Sequence, residues 1–113
     1  MTLQEIIKGL NLEVITGGDN LNLEVKDGYT SDLLSDVMAN AQSACLWITL
    51  QTHVNIVAVA KLKDLAGIII VNGRQPDKET RQKAQEENLP LLLSKETAFQ
   101  VSGRLYQLLG KGK

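Results

Sequence analysis

The sequence predicts an α/β three-layer sandwich, with a mostly parallel central sheet, helices on both faces, and an N-terminal helix and hairpin ahead of it. Three observations predict it. The runs at 45–50, 67–71 and 90–93 are short and almost continuously apolar, as expected of strands buried on both faces. Segments with helical spacing follow each of them, and a strand–helix alternation implies right-handed crossovers and a parallel sheet. The chain has 113 residues, 43% of them hydrophobic, which suits one compact domain over 1–113 with its own core.

The elements follow in order. Leu3, Ile6, Ile7 and Leu10 fall on one helical face, and Thr2 with Glu5 has capping-box spacing. Residues 11–15 then turn towards strand. Gly17-Gly18-Asp19-Asn20 is a turn, and Leu21-Asn22-Leu23-Glu24-Val25 alternates as a half-buried strand, so the two strands predict a hairpin. Thr30 or Ser31 can cap a helix with Leu34, Val37, Met38 and Ala41 inward. After the strand at 45–50, the spacing of Val54, Ala58, Leu62 and Leu65 favours helix. The strand at 67–71 exits through Asn72-Gly73-Arg74-Gln75-Pro76, and Asp77 caps a polar helix to Asn88 with Ala84 inward. Pro90 opens the next strand, where a missing N–H is tolerated. Ser94 or Thr97 caps a last helix with Ala98, Val101, Leu105 and Leu108 inward, and 110–113 reads as a frayed tail.

Composition excludes several classes of function. Twelve basic residues stand against thirteen acidic ones, a net charge of −1, which provides no electrostatic footprint for nucleic acid and no polybasic membrane patch. A single cysteine, Cys45, allows no internal disulfide and no cysteine cluster for zinc or iron–sulfur. No basic-then-apolar leader opens the chain and no apolar run approaches a membrane span, so a cytoplasmic protein is expected. Gly110-Lys111-Gly112-Lys113 lacks the rest of a phosphate-binding P-loop, Gly17-Gly18 is not a dinucleotide fingerprint, and no histidine pair or Gly-x-Ser-x-Gly elbow is present. No cofactor, metal site or catalytic residue is therefore expected.

In open parallel sheets, ligands bind beyond the carboxyl ends of the strands. The candidate ligand-binding residues are the polar ones at those ends: Ser31 and Asp32; Gln51, Thr52 and His53; Asn72, Gly73 and Arg74; Ser94 and Thr97. Helix N-termini there offer N–H groups to a phosphate or carboxylate, and Arg74 supplies a cation. The same residue types also cap helices, and Asn-Gly also makes a plain turn, so capping and binding both remain open. His53, the only histidine, reads as a loop residue before it reads as a base, and Cys45 as a small core residue. Trp47 either anchors an interface or fills the core.

The segments Thr2-Leu3-Gln4-Glu5-Ile6-Ile7, Leu12-Glu13-Val14-Ile15-Thr16-Gly17-Gly18 and Ser31-Asp32-Leu33-Leu34-Ser35-Asp36-Val37-Met38-Ala39, with the strand into Asn72-Gly73, Pro76 and the Asn88-Leu89-Pro90-Leu91-Leu92 step, resemble the DRTGG domain. The resemblance spans nearly the whole chain, and its short stand-alone members are the nearest in wording at Trp47-Ile48-Thr49-Leu50-Gln51-Thr52-His53. It implies a fold like the N-terminal domain of HPr kinase/phosphorylase, without the kinase domain. Such domains also occur between CBS domains of regulated pyrophosphatases and beside acetyl-transfer enzymes. They are typically regulatory and tend to pair with themselves, and stand-alone members are often encoded near hydrogenase or related redox genes. Larger members tend to carry Asp-Arg where this chain has Gln51-Thr52-His53.

The resulting expectation is a non-catalytic, self-associating regulatory domain, a homodimer, sensing a small anion or nucleotide for a redox or energy-metabolism enzyme. The alternative is a protein–protein adaptor with no small-molecule site, presenting an apolar patch at Trp47 or the last helix. A small hydrolase or transferase using His53 with Asp32 or Ser94 is a third reading.

Overall fold

A computed structural model describes residues 1–112. Five strands and five helices alternate as α1 (Leu3–Leu10), β1 (Glu13–Thr16), β2 (Asp27–Thr30), α2 (Leu34–Asn40), β3 (Cys45–Thr49), α3 (Asn55–Leu62), β4 (Gly67–Ile70), α4 (Lys78–Glu86), β5 (Leu91–Leu93) and α5 (Ala98–Leu108). They form one five-stranded sheet in the order β1-β5-β4-β3-β2. Strands β2 to β5 are parallel neighbours and β1 joins β5 antiparallel at the far edge. Every residue of β3, β4 and β5 is buried, which is why these three segments carry no polar alternation.

From β2 to β5 the chain always steps to the adjacent strand in the same direction. Crossovers of one hand then deliver α2, α3 and α4 to a single face. There Val37, Ile56, Val57, Ala60 and Ala84 meet Trp47, Ile68, Ile70 and Leu91. Helices α1 and α5 cover the opposite face, where Leu3, Ile6, Val101 and Leu105 meet Leu46, Ile48, Ile69 and Leu92. The three layers and the mostly parallel sheet agree with the sequence. No helix among the described residues is long and apolar enough to cross a membrane.

The predicted hairpin does not form. Its first strand survives as β1, but it pairs with β5 instead, Glu13 opposite Leu93. Residues 21–25 make only one bridge, Thr2 with Glu24. Their alternation serves another purpose: the Leu3 and Gln4 N–H groups, unsatisfied at the start of α1, donate to the Leu23 and Leu21 carbonyls at 2.9 Å each, while Val25 is buried with the α1–α5 layer. The strand falls two residues later, on the polar stretch Asp27–Thr30, held by its ladder to β3. A Cβ at Gly28 would stand 2.7 Å from Leu105 Cδ2, so any larger residue there requires the buried Leu105 side chain to shift.

The helix ends are set locally. Thr2–Glu5 and Thr97–Gln100 both form complete capping boxes. The expected caps of α2 and α4 do not form: α2 starts at Leu34 behind Leu33 with no side-chain cap from Thr30 or Ser31, and Asp77 stands at the N-cap position of α4 without a cap bond from its carboxylate. Asn11, Asp64, Asn88 and Gly110, at φ 54°, 56°, 52° and 76°, end α1, α3, α4 and α5 in left-handed turns. Each donates back to the last turn and is followed by a second such bond. Gly110 and Lys111 thus belong to the helix stop, with the Lys111 N–H donating to the Tyr106 carbonyl, while Lys113 of the expected tail lies outside the described residues.

The rim beyond the parallel strands

Because β2 to β5 run the same way, their exits converge on one rim, as the sequence predicts. The exits of β2, β3 and β4 lead to the α2–α3–α4 face, whereas the exit of β5 leads to α5 on the other face. Adjacent strands whose connections part to opposite faces leave a crevice between them, and this is the place where ligands bind in open α/β sheets. Two clefts flank the β4 exit loop. One, about 250 Å³, is lined by Asp32, Leu50, Gln51, Thr52 and Arg74. The other, about 600 Å³, lies at the parting of β4 and β5 and is lined by Gly73, Gln75, Ser94, Lys95, Glu96 and Arg104 with the end of α1 and the start of β1.

Most of the sequence candidates are at this rim, but many of their polar atoms are committed. Asp32 accepts from the Thr49 hydroxyl at 3.0 Å and the Leu50 N–H at 2.7 Å, and its carbonyl accepts from Gln51 Nε2 at 2.7 Å. Asp32 therefore ties the β2 exit to the β3 exit. Ser31 Oγ accepts from the Leu33 N–H, and its hydroxyl is the leading cause that holds the Asp36 carboxyl below the ordinary range, ahead of the Tyr29 hydroxyl and the Asn40 amide. Ser94 Oγ accepts from the Glu96 N–H at 3.1 Å, and Thr97 caps α5. Of the three, only Thr97 caps a helix; Ser31 and Ser94 each accept from the N–H two residues on and close turns in the loops ahead of α2 and α5.

The Asn72-Gly73 pair is a type I′ turn, with φ 63° and 67° and the Arg74 N–H donating to the Val71 carbonyl. Both turn N–H groups point at the neighbouring loop: Asn72 donates to the Glu96 carbonyl at 2.8 Å and Gly73 to the Ser94 carbonyl at 2.9 Å. They do not form an open anion nest. The Thr52 carbonyl accepts from the Asp77 N–H and from the Thr80 hydroxyl, joining the β3 exit to α4. His53 is exposed, and its Nδ1 accepts from the Asn55 N–H at the start of α3.

Arg74 remains. It is exposed at the mouth of the smaller cleft, and among the described residues its guanidinium has no hydrogen-bond or ion-pair partner. The hydrolase arrangement is not assembled, because Asp32 and Ser94 line different clefts and the His53 ring bonds to neither. Trp47 is wholly buried with its Nε1 donating to the Ser31 carbonyl at 2.8 Å, so it fills the core and anchors no interface. Cys45 is buried, and that burial pushes its thiol pKa up, away from reactivity.

The larger cleft contains residues that the sequence did not single out. Lys95 and Glu96 directly follow Ser94, and Arg104 comes from α5, where it donates to the Gly9 carbonyl at 3.0 Å and pairs with Glu96. Adjacency to Ser94 was the available signal for Lys95 and Glu96. Arg104 enters through a contact spanning 95 positions, which no local pattern carries.

A mostly parallel sheet covered by helices on both faces, with clefts along the rim where its strands exit, defines a three-layer α/β domain. The sequence pattern of the DRTGG domain matches residues 5–108, so the chain belongs to the DRTGG domain family. Among solved structures it is similar to the CBS and DRTGG domains of the regulatory region of Clostridium perfringens pyrophosphatase, complexed with its activator diadenosine tetraphosphate. The TM-score is 0.74 at 16% identity, over 94% of this chain and 46% of that one. The chain thus spans about half the length of that protein's chain. No curated protein sequence matches it.

Proposed function

We propose that this chain is a non-catalytic regulatory domain that senses a small anionic ligand, a nucleotide among the candidates, at the rim beyond β3 and β4. The observation that carries the reading is Arg74. A guanidinium with no acceptor among the described residues stands beside Gln51 and Thr52 at a cleft mouth, next to a roomier crevice between the β4 and β5 exits. Arginine presents a planar fork of donors suited to phosphate and carboxylate. Family membership supports a regulatory role, and the similar pyrophosphatase region is regulated by a nucleotide. The redox setting suggested by short family members would make its client a cytoplasmic energy-metabolism enzyme.

Thermal unfolding with ATP, AMP, pyrophosphate and citrate tests this. A ligand at one hundred times its Kd stabilises by about 2.7 kcal/mol, a rise of about 10 °C in a domain of this size. The expected result is a saturable rise with at least one of these anions that Arg74→Ala abolishes without altering the unliganded Tm. No rise across the panel, or an unchanged rise in Arg74→Ala, overturns the site. The second reading, a protein adaptor, is favoured by the aromatic outer face of α5, where Phe99 is 88% exposed.

A further inference from the structure

The crevice at the parting of β4 and β5 differs in charge from the cleft that Arg74 overlooks. Glu13, Lys95, Glu96 and Arg104 line it, and their charges cancel. Glu96 and Arg104 satisfy each other, and Arg104 also donates to the Gly9 carbonyl at 3.0 Å. Glu13 at the start of β1 and Lys95 just past β5 are exposed, and neither has a hydrogen-bond or ion-pair partner among the described residues. Glu13 stands opposite Leu93, two residues before Lys95, so the two unpaired charges flank the same short stretch of rim. The floor behind them is apolar, with Leu10, Leu12 and Leu93 all buried. Ser94 lines the crevice at 6% exposure. Its oxygen accepts from the Glu96 N–H, and its hydroxyl hydrogen has no acceptor among the described residues.

We infer that this crevice binds a small zwitterion with an apolar body, a free amino acid of the leucine or phenylalanine kind or a dipeptide of such residues. The ligand's carboxylate meets Lys95 and takes the Ser94 hydroxyl hydrogen. Its ammonium meets Glu13, and its apolar body covers the leucines. The inference rests on the crevice alone and is independent of the anion reading at Arg74.

Charge decides the ligand class. A polyphosphate held by Lys95 would lie against the carboxylates of Glu13 and Glu96, and like charges brought together repel. An uncharged apolar molecule would strip water from both ions and return no partner to either. A zwitterion supplies each with its opposite. A buried donor without an acceptor costs stability, so Ser94 favours a ligand oxygen beside Lys95. The crevice holds about 600 Å³, within the range of roughly 300–1,000 Å³ usual for small-molecule sites, and so has room for a dipeptide. It also lies where the connections of adjacent parallel strands part to opposite faces, the usual ligand position in open α/β sheets.

Isothermal titration calorimetry of the whole chain with leucine, phenylalanine and leucyl-leucine tests the inference. Saturable binding of at least one is expected, with a Kd below about 1 mM, and its N-acetyl and C-amide forms should each bind at least about tenfold more weakly. Glu13→Gln should weaken the parent ligand and its amide but leave the N-acetyl form unchanged, because that form carries no ammonium. Lys95→Gln should weaken the parent and the N-acetyl form but leave the amide unchanged. Both side chains are exposed, so the unliganded Tm should not move in either variant. Arg74→Ala should leave every one of these affinities unaltered, which separates this site from the one proposed above. Binding of leucyl-leucine without either amino acid supports the site and assigns it to peptides. No saturable heat from any of the three up to about 10 mM overturns the inference, as does equal binding of the N-acetyl or amide forms. A ligand lost in Arg74→Ala but retained in Lys95→Gln belongs to the smaller cleft and overturns it as well.

Discussion

Gly17 and Gly18 are adjacent, yet the structure assigns them opposite sensitivities. Gly17 leaves β1 at φ 77°, and a Cβ there would lie 2.5 Å from the Pro90 nitrogen, 2.6 Å from its Cα and 2.7 Å from the Leu89 carbonyl carbon. All three are backbone atoms, so no rotamer change relieves the overlap, and β1 would have to move from β5. Gly17→Ala pays about 1–2 kcal/mol for an L-residue in the left-handed region. Moving β1 also breaks the buried bond from the Thr16 hydroxyl to the Leu89 carbonyl, 2.7 Å, leaving both groups unsatisfied at about 1–3 kcal/mol. Together these amount to about 2–5 kcal/mol, against a typical domain stability of about 5–15 kcal/mol. Gly18 has nothing within 4 Å of its Cβ position and no positive φ, so Gly18→Ala should gain about 0.4–1 kcal/mol by restricting the unfolded chain. Trp47, the only tryptophan and wholly buried, reports unfolding by fluorescence. In urea, at a slope of about 1–3 kcal/mol per molar, Gly17→Ala should lower the midpoint by at least about 0.7 M while Gly18→Ala leaves or raises it. Equal midpoints, or a worse Gly18→Ala, would refute the proposed fit of Gly17 against Leu89 and Pro90.

Three further outcomes follow from local geometry. Ala44 sits at φ 66°, where a side chain is disfavoured, so Ala44→Gly should stabilise by about 0.5–1 kcal/mol in the same urea titration. Thr97→Ala removes the capping box of α5 and should lower stability by about 1 kcal/mol, while Thr97→Ser restores most of it. The Asp36 carboxyl is held below its ordinary range by Ser31, Tyr29 and Asn40, so its contribution is fully present above the unfolded carboxylate pKa and is lost as pH falls through the lowered folded value. A carbon-detected NMR titration should show the Asp36 midpoint moving up in Tyr29→Phe, which removes the 2.8 Å bond from the phenol.

The central strands were legible because their chemistry is one-sided: Ile68, Ile69 and Ile70 in a row have no solvent face to alternate with. The edges were not. Residues 21–25 have the alternation of a strand, but their carbonyls complete the first turn of α1, a demand set by tertiary contact. Asp27–Thr30 has little strand character of its own and is defined by pairing with β3. The same divide runs through the rim. Convergence of the strand exits follows from alternation alone, so Asp32, Gln51, Thr52 and Arg74 could be gathered from sequence. What Ser31, Ser94 and Thr97 do with their oxygens could not, since a cap and a ligand contact use the same residue types, and only coordinates distinguish the acceptor. Arg104 joins the crevice through α1, the part of the chain farthest from it in sequence.

The position of β1 has a consequence for the order of events in folding. Strands β2 to β5 each find their neighbour one βα unit away, but Glu13 must wait for Leu93, eighty positions on. Loop closure makes such a long-range pairing a late one. The first strand of the domain in chain order is therefore the last to be zipped in, and destabilising it should hasten unfolding while leaving the refolding rate nearly untouched.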